Sequence, residues 1–352
     1  MHSLRISSRV DRAGYLVRSI LAGALVVAAT SVSAQTRLLL STFFPPAHPI
    51  YSQVMQPWAQ EVEKATGGAV KIDFSPNSLA PPPGQMDLVA KGGADISFQF
   101  AGVVPNRLTT TLVTEVPGPT SSALAMSTAL WRTHEKFFAA AGEHKGLKVL
   151  GVVAFPAQGF FSLSDPIVSI DQLKRTKVAA TPGNAAKSFG AVTTGVVAGP
   201  AVRYFELVSK GMVDAYVSVT PIDVMSFNLS RYTKGWTQFE GLGTAGSFTF
   251  FINESRWNAL PAAAREAIAR LSGEAFSARM GVLDQANNGA IKALVDQGVK
   301  VVKAPAAFEA ELREAFNIIE QEWLAEVAKR GVDGRAALAF YRAEQARAAT
   351  SR

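Results

Sequence analysis

Side chains able to do covalent chemistry are few in this 352-residue chain. It has no Cys, which excludes thiolate catalysis, disulfides and an acylated N-terminal thiol. His48, His134 and His144 stand at no paired metal-ligand spacing, so no metal is expected. Gly241-Leu242-Gly243-Thr244-Ala245-Gly246 has the letters of a dinucleotide fingerprint, but that motif needs a helix after it to meet the pyrophosphate. Here Ser247-Phe248-Thr249-Phe250-Phe251 follows, which reads as a strand, so the segment is expected to be a Gly-rich interdomain turn and no cofactor is expected. Gly-x-Ser-x-Gly does not occur, although triads whose members lie far apart in sequence stay open. The scattered carboxylates read as solvated helix faces. Together these residues favour a protein that is not an enzyme.

The first 34 residues carry a different message. Arg5, Arg9, Arg12 and Arg18 precede an apolar run from Ile20 to Ala29, and Val32-Ser33-Ala34 supplies the small residues a signal peptidase reads. A secretory signal cleaved after Ala34 is expected. The apolar run is shorter than the roughly 20 residues that span a bilayer, and no later segment approaches that length, so no stable membrane insertion is expected. The formal charge of +7 includes four Arg and one Asp of this segment, leaving +4 on the remainder. Lys and Arg are scattered among Glu rather than clustered with aromatics, so nucleic acid is not an expected partner. The residues after Ala34 are enough for two domains.

Strand and helix patterns alternate along those residues. Arg37 to Phe43, Val70 to Phe74 and Ala94 to Phe100 read as strands, with a helix from Ile50 to Val62 stopped by Thr66-Gly67-Gly68. Val149 to Phe155, Lys177 to Ala180, Val213 to Val219, Phe248 to Ile252 and Val299 to Val302 read as further strands. Helices are expected at Gln85 to Lys91, Asn184 to Phe189 and Ala201 to Lys210, and one long helical stretch from Pro261 to Asp296. Phe308, Leu312, Phe316, Ile319 and Trp323 form one stripe of a terminal helix. The alternation argues for crossover units and an α/β fold.

Several blocks in this order resemble a known family: Glu61 to Ile72, Pro76-Asn77-Ser78-Leu79, Gly93-Ala94-Asp95-Ile96, Leu173-Lys174 with Lys177-Val178, and Gly211-Met212-Val213-Asp214. They resemble the DctP-type substrate-binding proteins of tripartite ATP-independent periplasmic (TRAP) transporters across nearly all of the chain after Ala34. The resemblance implies a periplasmic-binding-protein-like fold: two α/β domains around a ligand cleft, with hinge strands and a long connecting helix. It implies a periplasmic protein that captures a small organic ligand and delivers it to membrane permease subunits. Domain I would comprise 35–155 plus about 242–285, and domain II 156–241 plus about 286–352. A binding module of another uptake or sensing system, or a secreted enzyme on a two-lobed scaffold, stays open as an alternative.

Departures from the family pattern bear on the ligand. The resemblance places a carboxylate-gripping Arg in the strand after Leu173-Lys174, where this chain has Ala179, or Ala180 if the gap is moved. A second Arg common after a Gly-Phe pair is Phe161 in Gly159-Phe160-Phe161. Arg203 stands near the family's pocket Glu and could supply a cation from a new direction. The expected cleft has walls of Phe44, Phe100, Phe155, Phe160, Phe161 and Tyr216, with Gln99, Gln158, Thr181, Asn184, Ser218 and Thr220 as uncharged hydrogen-bonding groups. The implied ligand is aromatic, amide-like or otherwise neutral rather than a simple dicarboxylate, or a mono-acid if Arg203 points inward.

Overall fold

The computed structural model describes residues 35–350; the expected signal segment, 1–34, lies outside the described residues. In chain order the strands are β1 (Thr36–Ser41), β2 (Val70–Phe74), β3 (Ile96–Phe100), β4 (Leu147–Ala157), β5 (Gly159–Ser162), β6 (Val178–Ala180), β7 (Val196–Ala198), β8 (Ala215–Val219), β9 (Gly235–Gln238), β10 (Ala245–Asn253) and β11 (Lys300–Lys303). They form two sheets, ordered β2-β1-β3-β10-β4 and β11-β9-β5-β8-β6-β7. β1 runs parallel to β2 and β3, while β10 lies antiparallel between β3 and β4. In the second sheet β6 is parallel to β7 and β8, and β5 is antiparallel to β8 and β9. Helices cover both sheets, giving the expected two-lobed α/β architecture.

Side-chain alternation explains the layers. Along β10, Phe248, Phe250 and Ile252 enter one core with Trp58, Phe276 and Leu283, whereas Phe251 enters the opposite one with Met126, Leu130 and Val152. The stripe on the long helix Ala306–Ala328 is divided between the lobes. Phe308, Leu312 and Phe316 pack on the second sheet with Phe160 and Val217, and Trp323 and Val327 pack in the first lobe, where the Trp323 indole donates to the Thr109 carbonyl at 3.0 Å. At 1.5 Å per residue this helix is a strut about 34 Å long.

The chain passes between sheets at Gln158, linking β4 to β5, and again between β9 and β10. These two passages are tied together: the Gln158 N–H donates to the Thr244 carbonyl at 2.9 Å, and the Thr244 hydroxyl to Gln158 Oε1 at 3.0 Å.

Several expectations are corrected. The stretch 261–296 is not one helix but Ala262–Arg270, Glu274–Ala278 and Gly281–Asp296. Gly273 breaks it with φ +64, a left-handed conformation, because its N–H is drawn to the Leu150 carbonyl at 2.7 Å against the Trp131 ring. Strands β5, β7 and β9 are not among the expected elements; each has three or four residues and owes its conformation to its neighbours in the sheet. The last helix, Gly334–Thr350, falls within the 286–352 segment expected in the second unit, yet Ala337, Leu338 and Tyr341 pack in the first lobe with Met126, Ala129 and Leu130.

Candidate ligand-binding site

The C-terminal ends of β1, β3, β6 and β8 converge on the space between the sheets, the position at which crossover topology leaves a crevice. Two adjoining compartments fill it. One is walled by Phe44 beyond β1, Phe100 on β3, Phe155 on β4 and Phe248 on β10, with Ala201, Val202, Thr220 and Phe227 opposite. Its rings stack closely: Phe155 and Phe248 have centroids 4.1 Å apart, Phe100 and Phe248 5.0 Å, and Phe44 and Phe155 5.7 Å. The other compartment is lined by Glu115, Phe160, Thr181, Asn184, Ser188, Phe189, Phe239 and Thr244. Gln158 and Ser218 line both. At the rim Gly183, with φ +84, meets the other lobe so closely that a Cβ would lie 3.0 Å from the Gly102 carbonyl.

Among the described residues no Lys, Arg or His lines either compartment; the ionisable residues are Glu115 and Asp223. Asp223 is fully engaged. Its Oδ2 accepts from the Thr220 N–H at 2.7 Å and hydroxyl at 2.8 Å, and its Oδ1 faces His48 Nε2 at 3.1 Å. Because His48 Nδ1 accepts from the Ile50 N–H at 3.1 Å, the assigned tautomer carries its proton on Nε2, which donates to Asp223 across the lobes. Glu115 is different. It ends the buried turn Thr110–Glu115, its Oε1 has no hydrogen-bond partner among the described residues, and burial alone pushes its carboxyl up to about 8. Asn184 Nδ2 is likewise buried without a partner among them. Ser218 holds φ +66, a strained backbone for a residue with a Cβ, and its hydroxyl oxygen accepts from the Thr181 N–H at 3.3 Å.

Residues 40–326 match the DctP family, the bacterial extracellular solute-binding proteins of family 7. The chain belongs to this family. It is an extracytoplasmic solute-binding protein. It is 35% identical over 326 residues to a Comamonas testosteroni protein named outer membrane transporter protein TsaT, covering 92% of this chain and 96% of that one. A TRAP periplasmic solute-binding protein from Bordetella bronchiseptica, solved with bound (R)- and (S)-mandelate, superposes with a TM-score of 0.84 at 31% identity, covering 89% of this chain and 99% of that one. A Rhodoferax ferrireducens TRAP protein holding copurified benzoate shares the fold, with a TM-score of 0.81 at 23% identity over 89% of this chain and 98% of that one.

Within this DctP-family protein the structure brings together Phe44, Phe100, Phe155, Gln158, Phe160, Thr181, Asn184, Ser218 and Thr220 of the expected cleft residues. It does not bring in the other five. Phe161, Ala179 and Tyr216 are buried in the core on the other side of the second sheet, where Phe161 and Tyr216 stack at 5.3 Å and the Tyr216 hydroxyl pairs with Thr233 at 2.5 Å. Gln99 is turned into the first lobe, its amide donating to the Pro82 and Phe100 carbonyls at 2.9 Å each. Arg203 lies on the surface with its side chain 68% exposed, facing Glu206 at 3.4 Å, so it supplies no cation to the cleft. Sequence reasoning missed Glu115, Asp223, Phe227, Thr244 and Phe248. The signal available for Glu115 was a single carboxylate inside the apolar run Leu112-Val113-Thr114-Glu115-Val116.

Proposed function

We propose that this protein captures an aromatic carboxylic acid between its lobes and delivers it to the membrane subunits of a TRAP transporter. The observation that carries this reading is the pairing of a ring-walled compartment with one that presents hydrogen-bonding side chains, joined at Gln158 and Ser218. An aryl group gains contact area among Phe44, Phe100, Phe155 and Phe248, with Thr220 across from them, and the polar end of the ligand meets Gln158, Thr181, Asn184 and Ser218 beside the Phe160 ring. The mandelate-holding Bordetella relative supports the same ligand class. The lobes, 35–155 with about 242–285 and 156–241 with most of 286–352, close over the ligand about the passages at Gln158 and Thr244. Capture and release need no covalent step, so the protein acts by binding alone. Residues 1–34 direct export and are removed after Ala34, and the periplasm is where the protein works.

A neutral aromatic amide is the second reading, favoured by the lack of any Lys, Arg or His among the described lining residues. Thermal-shift and calorimetric titration with mandelate, benzoate, their amides and succinate separate the two. A ligand at about one hundred times its Kd stabilises by roughly 2.7 kcal/mol, so aromatic acids should raise Tm by degrees. Stabilisation by succinate and by none of the aromatic compounds would refute the proposal.

A further inference from the structure

A carboxylate ligand in a cleft without cations needs donors that are neutral. Asn184 Nδ2 is buried on the second lobe's wall and unpartnered among the described residues, and Gln158, which lines both compartments, has its Oε1 committed to Thr244 at 3.0 Å, so that its amide N–H groups are what it has left to offer a ligand. From the first lobe Glu115 lines the same compartment, 6% exposed, with Oε1 unpartnered among the described residues and packed against Gly102. An ionised carboxylate there would repel an anionic ligand and would itself be buried without compensation. A carboxylic acid would instead offer an O–H donor to the ligand's carboxylate, which has none of its own.

We propose that Glu115 binds the ligand as a protonated acid, donating its O–H to an anionic oxygen of the aromatic acid, so that capture is coupled to a proton held in the closed cleft. This inference rests on the aromatic-acid reading above and identifies what replaces a cation at that site. Binding then requires the protonated form of the free protein, and a carboxylate brought against Glu115 holds that proton more firmly. Other charged groups on the surrounding elements are already engaged. Glu143, packed against the start of the same turn, accepts from Thr109 and Thr110 and faces Arg330 at 3.3 Å; Asp223 is bonded to Thr220 and His48. Arg313 and Arg342, on the helices beyond Pro117, pair with Glu309 and Glu320. Burial of Glu115 places its titration at about 8 in the free protein, so the coupling falls within an accessible range.

Calorimetric titration of the protein with mandelate and benzoate from pH 6 to pH 9.5 tests the idea. Affinity should be level up to about pH 7 and weaken by about tenfold per pH unit above about 8, with proton uptake there shown by heats that vary with buffer ionisation enthalpy. Glu115→Gln, which keeps a neutral donor, should bind with a flat profile. Binding by the wild-type protein without proton uptake above pH 8, or an unchanged slope in Glu115→Gln, overturns the role of Glu115 and leaves the aromatic-acid reading intact. Affinity that rises with pH also overturns it, since an ionised carboxylate would then be accepting from the ligand. If neither acid binds the folded wild-type protein at any pH, both proposals fall. The buffer-dependent heats are read on the wild-type protein, so the test stands whether or not the variant folds.

Discussion

The buried ionisable groups set a stability profile whose maximum can be located. His134 and His144 meet edge to face at 5.7 Å in the first lobe, with His134 Nδ1 and His144 Nε2 both shut off from water and unpartnered among the described residues. Burial pushes His134 down to about 4, and burial with the neighbouring His134 and Arg107 pushes His144 down to about 3, whereas the unfolded chain titrates near 6.5. Their folded forms therefore bind fewer protons than the unfolded chain as pH falls below 6.5, and stability is lost in that direction. Glu115 has the opposite sign. Its folded carboxyl titrates at about 8 against 4.5 unfolded, so its contribution is complete below 4.5 and is lost as pH rises to about 8.

From about pH 4.5 to 6.5 the unfolded chain holds two extra protons on the histidines and the folded protein one on Glu115. The net is one proton, or about 1.4 kcal/mol per pH unit of stability gained as pH rises. From about 6.5 to 8 only Glu115 counts, and stability falls at about the same slope, some 2 kcal/mol in all. Glu143, raised by burial and pulled back by Thr110, Thr109 and Arg330, acts with Glu115 and shallows the acid side. Urea denaturation from pH 4.5 to 8.5 at constant m should show a maximum near pH 6.5. Glu115→Gln should remove the alkaline decline, and the double substitution His134→Phe, His144→Phe should turn the acid side into a continued rise toward pH 4.5. A maximum that stays in place in both variants, or a flat wild-type profile, would refute the reasoning.

Arg203→Ala should leave affinity for mandelate within about twofold and stability within about 0.5 kcal/mol, because the side chain is exposed and pairs only with a neighbouring Glu; a large loss of binding in titration would return Arg203 to the cleft. Phe155→Ala removes a ring packed on Phe44 and Phe248 and should cost about 3–5 kcal/mol by urea denaturation. The same variant should shift preference in thermal-shift screening toward bulkier aromatic acids, and unchanged stability would show that the ring cluster is not packed as described.

How far the cleft is legible in the sequence depends on whether its strand is visible. Phe248 to Ile252 announces itself by composition and length, and the stripe from Phe308 to Trp323 by its helical spacing, so the first sheet and the strut are legible. β5 has only four residues and reads as a loop. Without a recognised strand, Phe160 and Phe161 have no parity, and both are expected in the cleft; in the sheet they point to opposite faces, so one lines the site and the other stacks on Tyr216. β8 hides its exception differently. Tyr216 and Ser218 are two residues apart and would share a face in a regular strand, but the left-handed backbone at Ser218 turns it out of the alternation and into the cleft.

Glu115 lies beyond parity altogether. The turn that carries it has all six residues buried, so neither a period of two nor one of 3.6 could mark it as facing anything. What marks it is energetic. A carboxyl placed among apolar neighbours, without an intramolecular partner for Oε1, raises the cost of its own ionisation. That cost is avoided while the group keeps its proton, and the missing hydrogen bond is made when a ligand arrives to accept from it. The lone carboxylate in an apolar run is thus the sequence trace of a group that is unsatisfied until the cleft is filled, which is why it stands out more clearly by its missing partner than by its position.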